Sequence, residues 1–413
     1  MTQPRAAVVV TGTELVRGDR SDLNGPFLAH ELHRLGVEPA RVTIVGDRPE
    51  ELEATLREGL EADLCVISGG LGPTHDDRTV EVLARVAGRK LVVDSGLEEE
   101  IEGVSRRVAE RLRRPYGEFA GGVRKQASLP EGALSLGLAG TAPGIVLDTG
   151  RCVVVALPGP PNELRRLWGM ALEAEAVRRV LERADPPERR VLRFFGVSES
   201  AVARVLAEAG GERTGVEATV CARDFEVHVD LVGGGDELAG VLGRQLAEYL
   251  FAEDERPIAE LVLAQCRERG FTLATAESCT GGLVAELLTA IPGSSDVFVG
   301  GLVSYSNHVK VEQLGVPAEL IVEHGAVSQE VARAMADGAR EYLRADVAVA
   351  VTGIAGPGGG TADKPVGTVH IEAALPGARS GLHFVTPGDR GVIRRRAAVS
   401  ALHVIRQVLG ALQ

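Results

Sequence analysis

Glu277, Ser278 and Cys279 set a carboxylate, a hydroxyl and a thiol side by side in Thr275-Ala276-Glu277-Ser278-Cys279-Thr280-Gly281-Gly282. The lead-in Phe271-Thr272-Leu273-Ala274 is β-prone, and Leu283, Val284, Leu287 and Leu288 follow at helical spacing. The stretch therefore reads as a strand end meeting a helix start. Amide groups of a first helical turn point outward there and favour developing negative charge. Gly281 and Gly282 let a ligand approach the backbone. Ser278 is then placed to attack a carbonyl carbon, with amide donors downstream for the oxyanion. The simpler alternative is a turn whose Ser and Thr cap the helix.

A serine hydroxyl needs a base, and a lysine serves only when its pKa is lowered. Lys310 is the sole lysine between Lys125 and Lys364, and it follows a second strand in Ser304-Tyr305-Ser306-Asn307-His308-Val309-Lys310. An ordinary exposed helix lysine is the competing reading. A third strand, Ala348 to Val351, runs into Thr352-Gly353-Ile354-Ala355-Gly356-Pro357-Gly358-Gly359-Gly360. Ser, Tyr, Lys and Thr collected at strand ends describe a pocket at the carboxyl edge of a sheet. Cys279 is the rival nucleophile or a buried filler. Glu277 is a general base or a cap. Arg390, Arg394, Arg395 and Arg396 open the last helix, against the dipole preference, so an anionic ligand or a surface ion pair is implied.

The amino-terminal half alternates strand and helix: Ala6–Val10, Asn24–Leu35, Arg41–Val45, Pro49–Leu60, Asp63–Ser68. This predicts a largely parallel sheet with helices on both faces. Its third strand delivers Gly69-Gly70-Leu71-Gly72-Pro73-Thr74-His75-Asp76-Asp77-Arg78-Thr79. Glycine amides can wrap an anion while adjacent carboxylates hold a hard cation against phosphate. No Gly-Lys-Ser/Thr follows, so this is not a Walker A loop. Alternatively, Asp76 or Asp77 caps the helix Arg78 to Val86.

These motifs resemble the CinA (competence/damage-inducible protein) family: AESCTGG, YSN…K and TGIAGPGGG in the carboxyl-terminal third, GGLGPTHDD in the amino-terminal half. The resemblance implies an α/β protein of three domains. They are a molybdopterin-binding-like three-layer domain (1–168), a small KH-like α+β connector (169–255) and a three-layer α/β/α deamidase domain (256–413). It implies a bifunctional enzyme of pyridine nucleotide salvage. One site would hydrolyse nicotinamide mononucleotide to nicotinic acid mononucleotide and ammonia without a metal. There Ser278 is the nucleophile, Lys310 its base, Tyr305 a proton relay or lysine orienter, and Thr352 supports the oxyanion or the substrate. Thr280, Gly281, Gly282, Asn307 and Gly353 would meet substrate, with Arg394 (Arg390 second) on its phosphate. The other site would split ADP-ribose to AMP and ribose 5-phosphate with a divalent metal (Mg, Mn or Co). Asp76, Asp77, Glu14 and Asn24 are its implied metal set, and Gly69, Gly70, Gly72, Thr74 and Lys125 its substrate contacts. The chain departs from the family pattern at Thr13 and at Pro160. A non-catalytic nucleotide-binding regulator, linked to competence or DNA damage, is the alternative.

A net charge of −13 opposes a broad nucleic-acid surface. The connector invites an RNA reading, yet residues 171–256 hold 11 Arg and Lys against 18 Asp and Glu. Its glycine cluster, Gly210-Gly211-Glu212-Arg213, is not a GXXG clamp. Five scattered cysteines argue against a disulfide framework or thiolate zinc. No signal-peptide core and no apolar run of about 18 residues is present, so a cytoplasmic protein without membrane contact is expected. A homodimer is expected too. The element reading adds helices at Leu164–Arg183 and Asp236–Phe251, a hinge at Asp185-Pro186-Pro187 and a closing helix Arg390–Leu412.

Overall fold

A computed structural model describes residues 3–211 and 215–411. It contains two compact units, Met1–Pro187 and Glu188–Gln413. Strands of the first are β1 (Arg5–Thr11), β2 (Glu38–Val45), β3 (Leu64–Ser68), β4 (Leu91–Val93), β5 (Ser128–Pro130), β6 (Leu134–Leu138), β7 (Pro143–Asp148) and β8 (Val153–Leu157). Six form one sheet in the order β2-β1-β3-β8-β7-β6. The pairs β1/β2, β1/β3 and β3/β8 are parallel, while β7 and β6 return antiparallel.

Both faces of this sheet are apolar, as a parallel sheet requires. Val8, Val10, Leu64 and Val66 pack with Leu28, Leu32, Leu164 and Trp168 on one side. Val9, Cys65 and Ile67 pack with Leu52, Leu56, Val82 and Leu83 on the other. The period of two thus sorts one run of β-branched residues into two helix layers. The expected helix Leu164–Arg183 is two helices, Pro161–Leu172 and Glu175–Leu181. Val177 and Val180 of the second lie in the first unit's core, so that unit runs past 168 to Pro187, where the proline pair was expected to hinge.

The second unit holds two sheets. Strands β9 (Arg189–Phe195), β10 (Glu217–Arg223), β11 (Glu226–Val232) and β12 (Leu250–Ala252) form an antiparallel sheet ordered β10-β11-β9-β12. Val202, Val205, Leu238 and Leu242 from two helices cover its apolar face. The expected helix Asp236–Phe251 stops at Gln245, because Leu250–Ala252 pairs with β9. Part of the glycine cluster at 210–213 lies outside the described residues.

The other sheet is β13 (Leu273–Glu277), β14 (Phe298–Val303), β15 (Val347–Gly353), β16 (Thr368–Leu375) and β17 (Ala378–Val385), ordered β14-β13-β15-β16-β17. β13 is parallel to both neighbours, and β16 and β17 are antiparallel additions. Val347, Val349 and Val351 face the helices Ile258–Arg269 and Arg390–Gly410. Ala348 and Ala350 face the helix Gln329–Leu343. The closing helix ends at Gly410; Leu412, its expected end, lies outside the described residues. Glu226 of β11 accepts from buried His403 of that helix, 2.7 Å away, and pairs with His228. Burial pushes the Glu226 carboxyl up, but these two histidines outweigh it and hold its pKa at about 2. Among the described residues no helix is long and apolar enough to cross a membrane.

Two candidate active sites

In the second unit the carboxyl ends of β13, β14 and β15 deliver Ser278, Ser304 and Gly353 to one edge. The Ser278 amide donates to Val351 O (2.9 Å), and the Ser304 amide to Glu277 O (2.8 Å), which ties the three strand ends together. Lys310 rides the helix Asn307–Leu314, whose cap is the Ser306 hydroxyl. Its side chain is only 1% exposed. Nζ lies 3.0 Å from Ser278 Oγ and donates to Ser304 O at 2.7 Å. Burial pushes the lysine pKa below its ordinary value, against an opposing pull from the Cys279 thiol. The helix carrying Lys310 is itself pinned at its far end. A Cβ added at Gly338, on the helix Gln329–Leu343, would fall 1.8 Å from Leu314 O.

Glu277 is a cap rather than a base. Its buried carboxylate accepts from the amides of Gly282 (2.9 Å), Val284 (3.0 Å) and Ala285 (2.9 Å). The amides of Gly282, Val284 and Ala285 are therefore taken and are not the ones that meet an oxyanion. Gly281 and Gly282 take φ of +59° and +96°, so the loop's course depends on their lacking a side chain. Cys279 is a buried filler, its thiol pushed up to about 12 by burial.

Other expected groups are placed differently. Tyr305 is 59% exposed, and its hydroxyl accepts from Arg390 Nη2 at 2.7 Å. The lysine is oriented instead by the Ser304 carbonyl. Thr352 donates its hydroxyl to Ala326 O (2.8 Å), which occupies the proton an oxyanion would need. Thr280 is fully buried and Asn307 exposed. Gly353 makes room for packing, because a Cβ there would come 3.0 Å from Cys279 Sγ and 2.8 Å from Thr368 O. Arg394 reaches back across the chain to Cys279 O (3.2 Å, from Nε) and Thr280 O (2.6 Å, from Nη2). Arg390 also donates to Gly356 O at 2.8 Å.

In the first unit, a cleft of about 360 Å³ opens at the carboxyl ends of β1, β2, β3 and β8. Gly69 (φ +102°) lies so close to β1 that a Cβ would meet Thr11 O at 2.7 Å, and one at Gly72 would meet Asp77 Oδ2 at 2.5 Å. Asp76 and Asp77 do not cap the following helix, Thr79–Val86, which has no side-chain cap. Both accept from the Thr74 hydroxyl, and Asp77 also from the Thr74 amide (2.9 Å). The Thr74 hydrogen bond holds the Asp76 carboxyl below its ordinary value. Lys125 donates to Thr74 O, so it braces this loop from behind.

Glu14 lines the cleft with Asp76 and Asp77, but Asn24 does not join them. The Asn24 amide nitrogen donates to Ser68 Oγ (2.9 Å) and Gly159 O (2.7 Å) and faces a neighbouring cavity. Two further carboxylates line the cleft, Asp47 and Glu163. Asp47 accepts from the Thr13 amide (2.9 Å) and hydroxyl (2.6 Å), and burial pushes the Glu163 carboxyl up. Each follows the end of a parallel strand, as Glu14 and Asp77 do, and that position was the signal for them. An all-oxygen donor set suits a hard divalent cation. Among the described residues, however, no three His, Cys, Asp or Glu side chains converge closely enough to hold one. A metal here would take the remaining ligands from substrate and water.

Residues 255–409 match the CinA C-terminal domain family, and residues 7–178 the probable molybdopterin binding domain family. The CinA-like protein of Mycolicibacterium paratuberculosis is 43% identical over 431 residues, spanning 98% of both chains. That of Mycolicibacterium gilvum is 45% identical over 425 residues, again with 98% of each covered. The crystal structure of competence/damage inducible protein CihA from Agrobacterium tumefaciens is 41% identical, covering 38% of this chain and 99% of that one, with a TM-score of 0.36. CinA from Thermoplasma acidophilum is 32% identical, covering 42% and 99%, with a TM-score of 0.37. With near-complete coverage by its relatives and both domain families matched in order, the chain belongs to the CinA family.

Proposed function

We propose that the second unit is an amidase acting on nicotinamide mononucleotide, and that the first cleaves ADP-ribose at its pyrophosphate. The observation that carries the amidase reading is the Ser278–Lys310 pair, 3.0 Å apart with the lysine buried and without a carboxylate among its hydrogen-bond partners. Burial lowers the pKa of this amine and so raises the share of it present as the neutral base. Neutral Lys310 accepts the Ser278 proton as Oγ bonds to the carboxamide carbon. The lysinium then returns that proton to the departing nitrogen, the C–N bond breaks, and ammonia leaves an acyl-serine. Water, deprotonated by the same lysine, hydrolyses the ester to nicotinic acid mononucleotide and frees Ser278.

Glycines at a sheet's carboxyl edge and five carboxylates around one cleft support the pyrophosphatase reading. A divalent cation bound there would supply charge neutralisation for the phosphoryl oxygens. Asp76 and Asp77, set by Thr74, with Glu14 are the residues to hold it, while the amides of the Gly69–Gly72 loop would meet phosphate. The test is ammonia release from nicotinamide mononucleotide and AMP release from ADP-ribose, by the parent, Ser278→Ala and Asp77→Asn. Ser278→Ala is expected to lose at least ~10³-fold of the first and none of the second. Asp77→Asn should do the reverse. A parent that releases neither product is a binding protein, and both readings fall.

A further inference from the structure

The closing helix Arg390–Gly410 is held between two surfaces. Arg390 and Arg394 are four residues apart and share its front face, where Arg390 reaches Gly356 O and Arg394 the carbonyls of Cys279 and Thr280. Arg396 lies two residues on, about 200° round the helix, and His403 follows it on the same back face. The four-stranded sheet grips that back face. Glu226 of β11 accepts from His403 at 2.7 Å, and Phe195 of β9 and Phe251 of β12 pack on its ring, with centroids 3.8 and 4.6 Å away.

The turn between β10 and β11 reaches the same face at a cost. Arg223 pairs with Glu226, so the turn is Asp224-Phe225, and both residues are left-handed, at φ +53° and +69°. A two-residue hairpin of this kind favours Asn-Gly. A bulky side chain there is an outlier, because its Cβ crowds the backbone. The turn itself would form more easily with glycine, so the ring is explained by what it touches. It packs T-shaped on Phe384 of β17, centroids 5.1 Å apart, and the Arg396 guanidinium sits over it at 5.1 Å. Arg396 also donates to Pro387 O (2.9 Å), in the link from β17 to Asp389, the cap of the closing helix. Asp224 lies 3.9 Å from Arg395. Strained residues of this sort collect where they position something else.

We propose that Phe225 is a positioning residue for the amidase site, bracing the closing helix from behind so that Arg394 holds the loop after Ser278 within reach of Lys310. The assignment rests on reading that site as an amidase. Its test measures ammonia release from nicotinamide mononucleotide by full-length parent, Phe225→Gly, Phe225→Asn, Phe225→Tyr, Arg394→Ala and the Phe225→Gly/Arg394→Ala double variant. Glycine and asparagine both tolerate the left-handed backbone and lack the ring. Each should lower kcat about tenfold and keep KM within about twofold. Phe225→Tyr, which keeps the ring, should stay within about twofold of the parent. In the Arg394→Ala background Phe225→Gly should cost less than about twofold more, because both act through one loop. Amide hydrogen exchange over residues 278–282 should quicken about tenfold in Phe225→Gly, and that over β13 should not change. A parent kcat retained without the ring, a full further loss in the Arg394→Ala background, or exchange quickened equally in β13 overturns the brace. A parent that releases no ammonia sinks the amidase reading, and exchange then decides the brace by itself. Faster exchange confined to 278–282 sustains it, and unchanged protection overturns it.

Discussion

Both candidate sites sit at the carboxyl edge of parallel strands, yet they are built on opposite terms. The Ser278 site is buried and built from its own side chains: an amine 1% exposed, a hydroxyl beside it, and a carboxylate that takes three amides. The Asp76–Asp77 site is open and carboxylate-rich, and among the described residues no three ligating side chains converge in it. A covalent route needs its base poised before substrate arrives, because proton transfer tolerates little misplacement. A metal-assisted route can leave assembly to the incoming phosphate. On the proposed readings, two sites that share the edge of a sheet differ in chemistry because they differ in burial.

The most direct way to break this contrast is chelation. Excess EDTA should reduce AMP release from ADP-ribose to background and leave ammonia release within about twofold. An amidase that dies with the metal would place both sites on the same footing. Next in size is Lys310→Met, which should lower ammonia release by at least ~10³-fold. In the parent, kcat/KM should climb with pH through an ionisation below the ordinary lysine range, since burial lowers that pKa. A flat profile from pH 6 to 9 would remove Lys310 as the base.

Arg394→Ala tests what organises the loop. Its guanidinium holds the carbonyls of Cys279 and Thr280, so kcat should fall by about 10–100-fold for nicotinamide mononucleotide and for phosphate-free nicotinamide riboside alike. A loss confined to KM for the phosphorylated compound would make Arg394 a phosphate ligand instead. The smallest effect is thermodynamic. A lysine whose folded pKa is depressed destabilises the fold fully below that pKa, and the penalty lifts as pH rises towards about 10.4. Lys310→Met should therefore raise Tm by about 3 °C at pH 7, the Ser304 carbonyl losing its donor in exchange, with the gain shrinking by pH 10. A lower Tm at pH 7 would mean that the amine is not a liability.

The α/β alternation and the strand ends carrying Ser278, Ser304 and the Gly69–Asp77 loop were readable from the chain, because periodicity and turn residues are local. Lys310 was singled out as an isolated lysine and through the family motif. The contacts that define its environment were not readable. Glu277 looks like any acidic residue until its carboxylate is seen closing a helix five to eight residues on. Arg394 meets carbonyls 114 and 115 positions away, which no spacing rule reaches. Asp47 and Glu163 show the converse case, since both follow strand ends visible in the sequence. Neither is legible as a ligand, because each is a lone carboxylate that the order of the strands, not its spacing, brings to the cleft of Asp76 and Asp77. The helix ending at Gln245 rather than Phe251 shows pairing with β9 overriding a helical pattern.

Gly338 touches nothing that reacts, yet its missing side chain fixes how near two helices lie, with Leu314 O 1.8 Å from where a methyl would sit. The five residues from Lys310 to Leu314 act as a lever. A larger residue at 338 must part the two helices, and if the lysine's helix is the one that gives, the 3.0 Å gap between Lys310 Nζ and Ser278 Oγ widens. Gly338→Ala should cost turnover without altering a single functional group, detectable as reduced kcat in a protein of native circular dichroism. Tolerance to change in this protein is thus set partly by interhelical clearance, away from the Ser278–Lys310 pair itself.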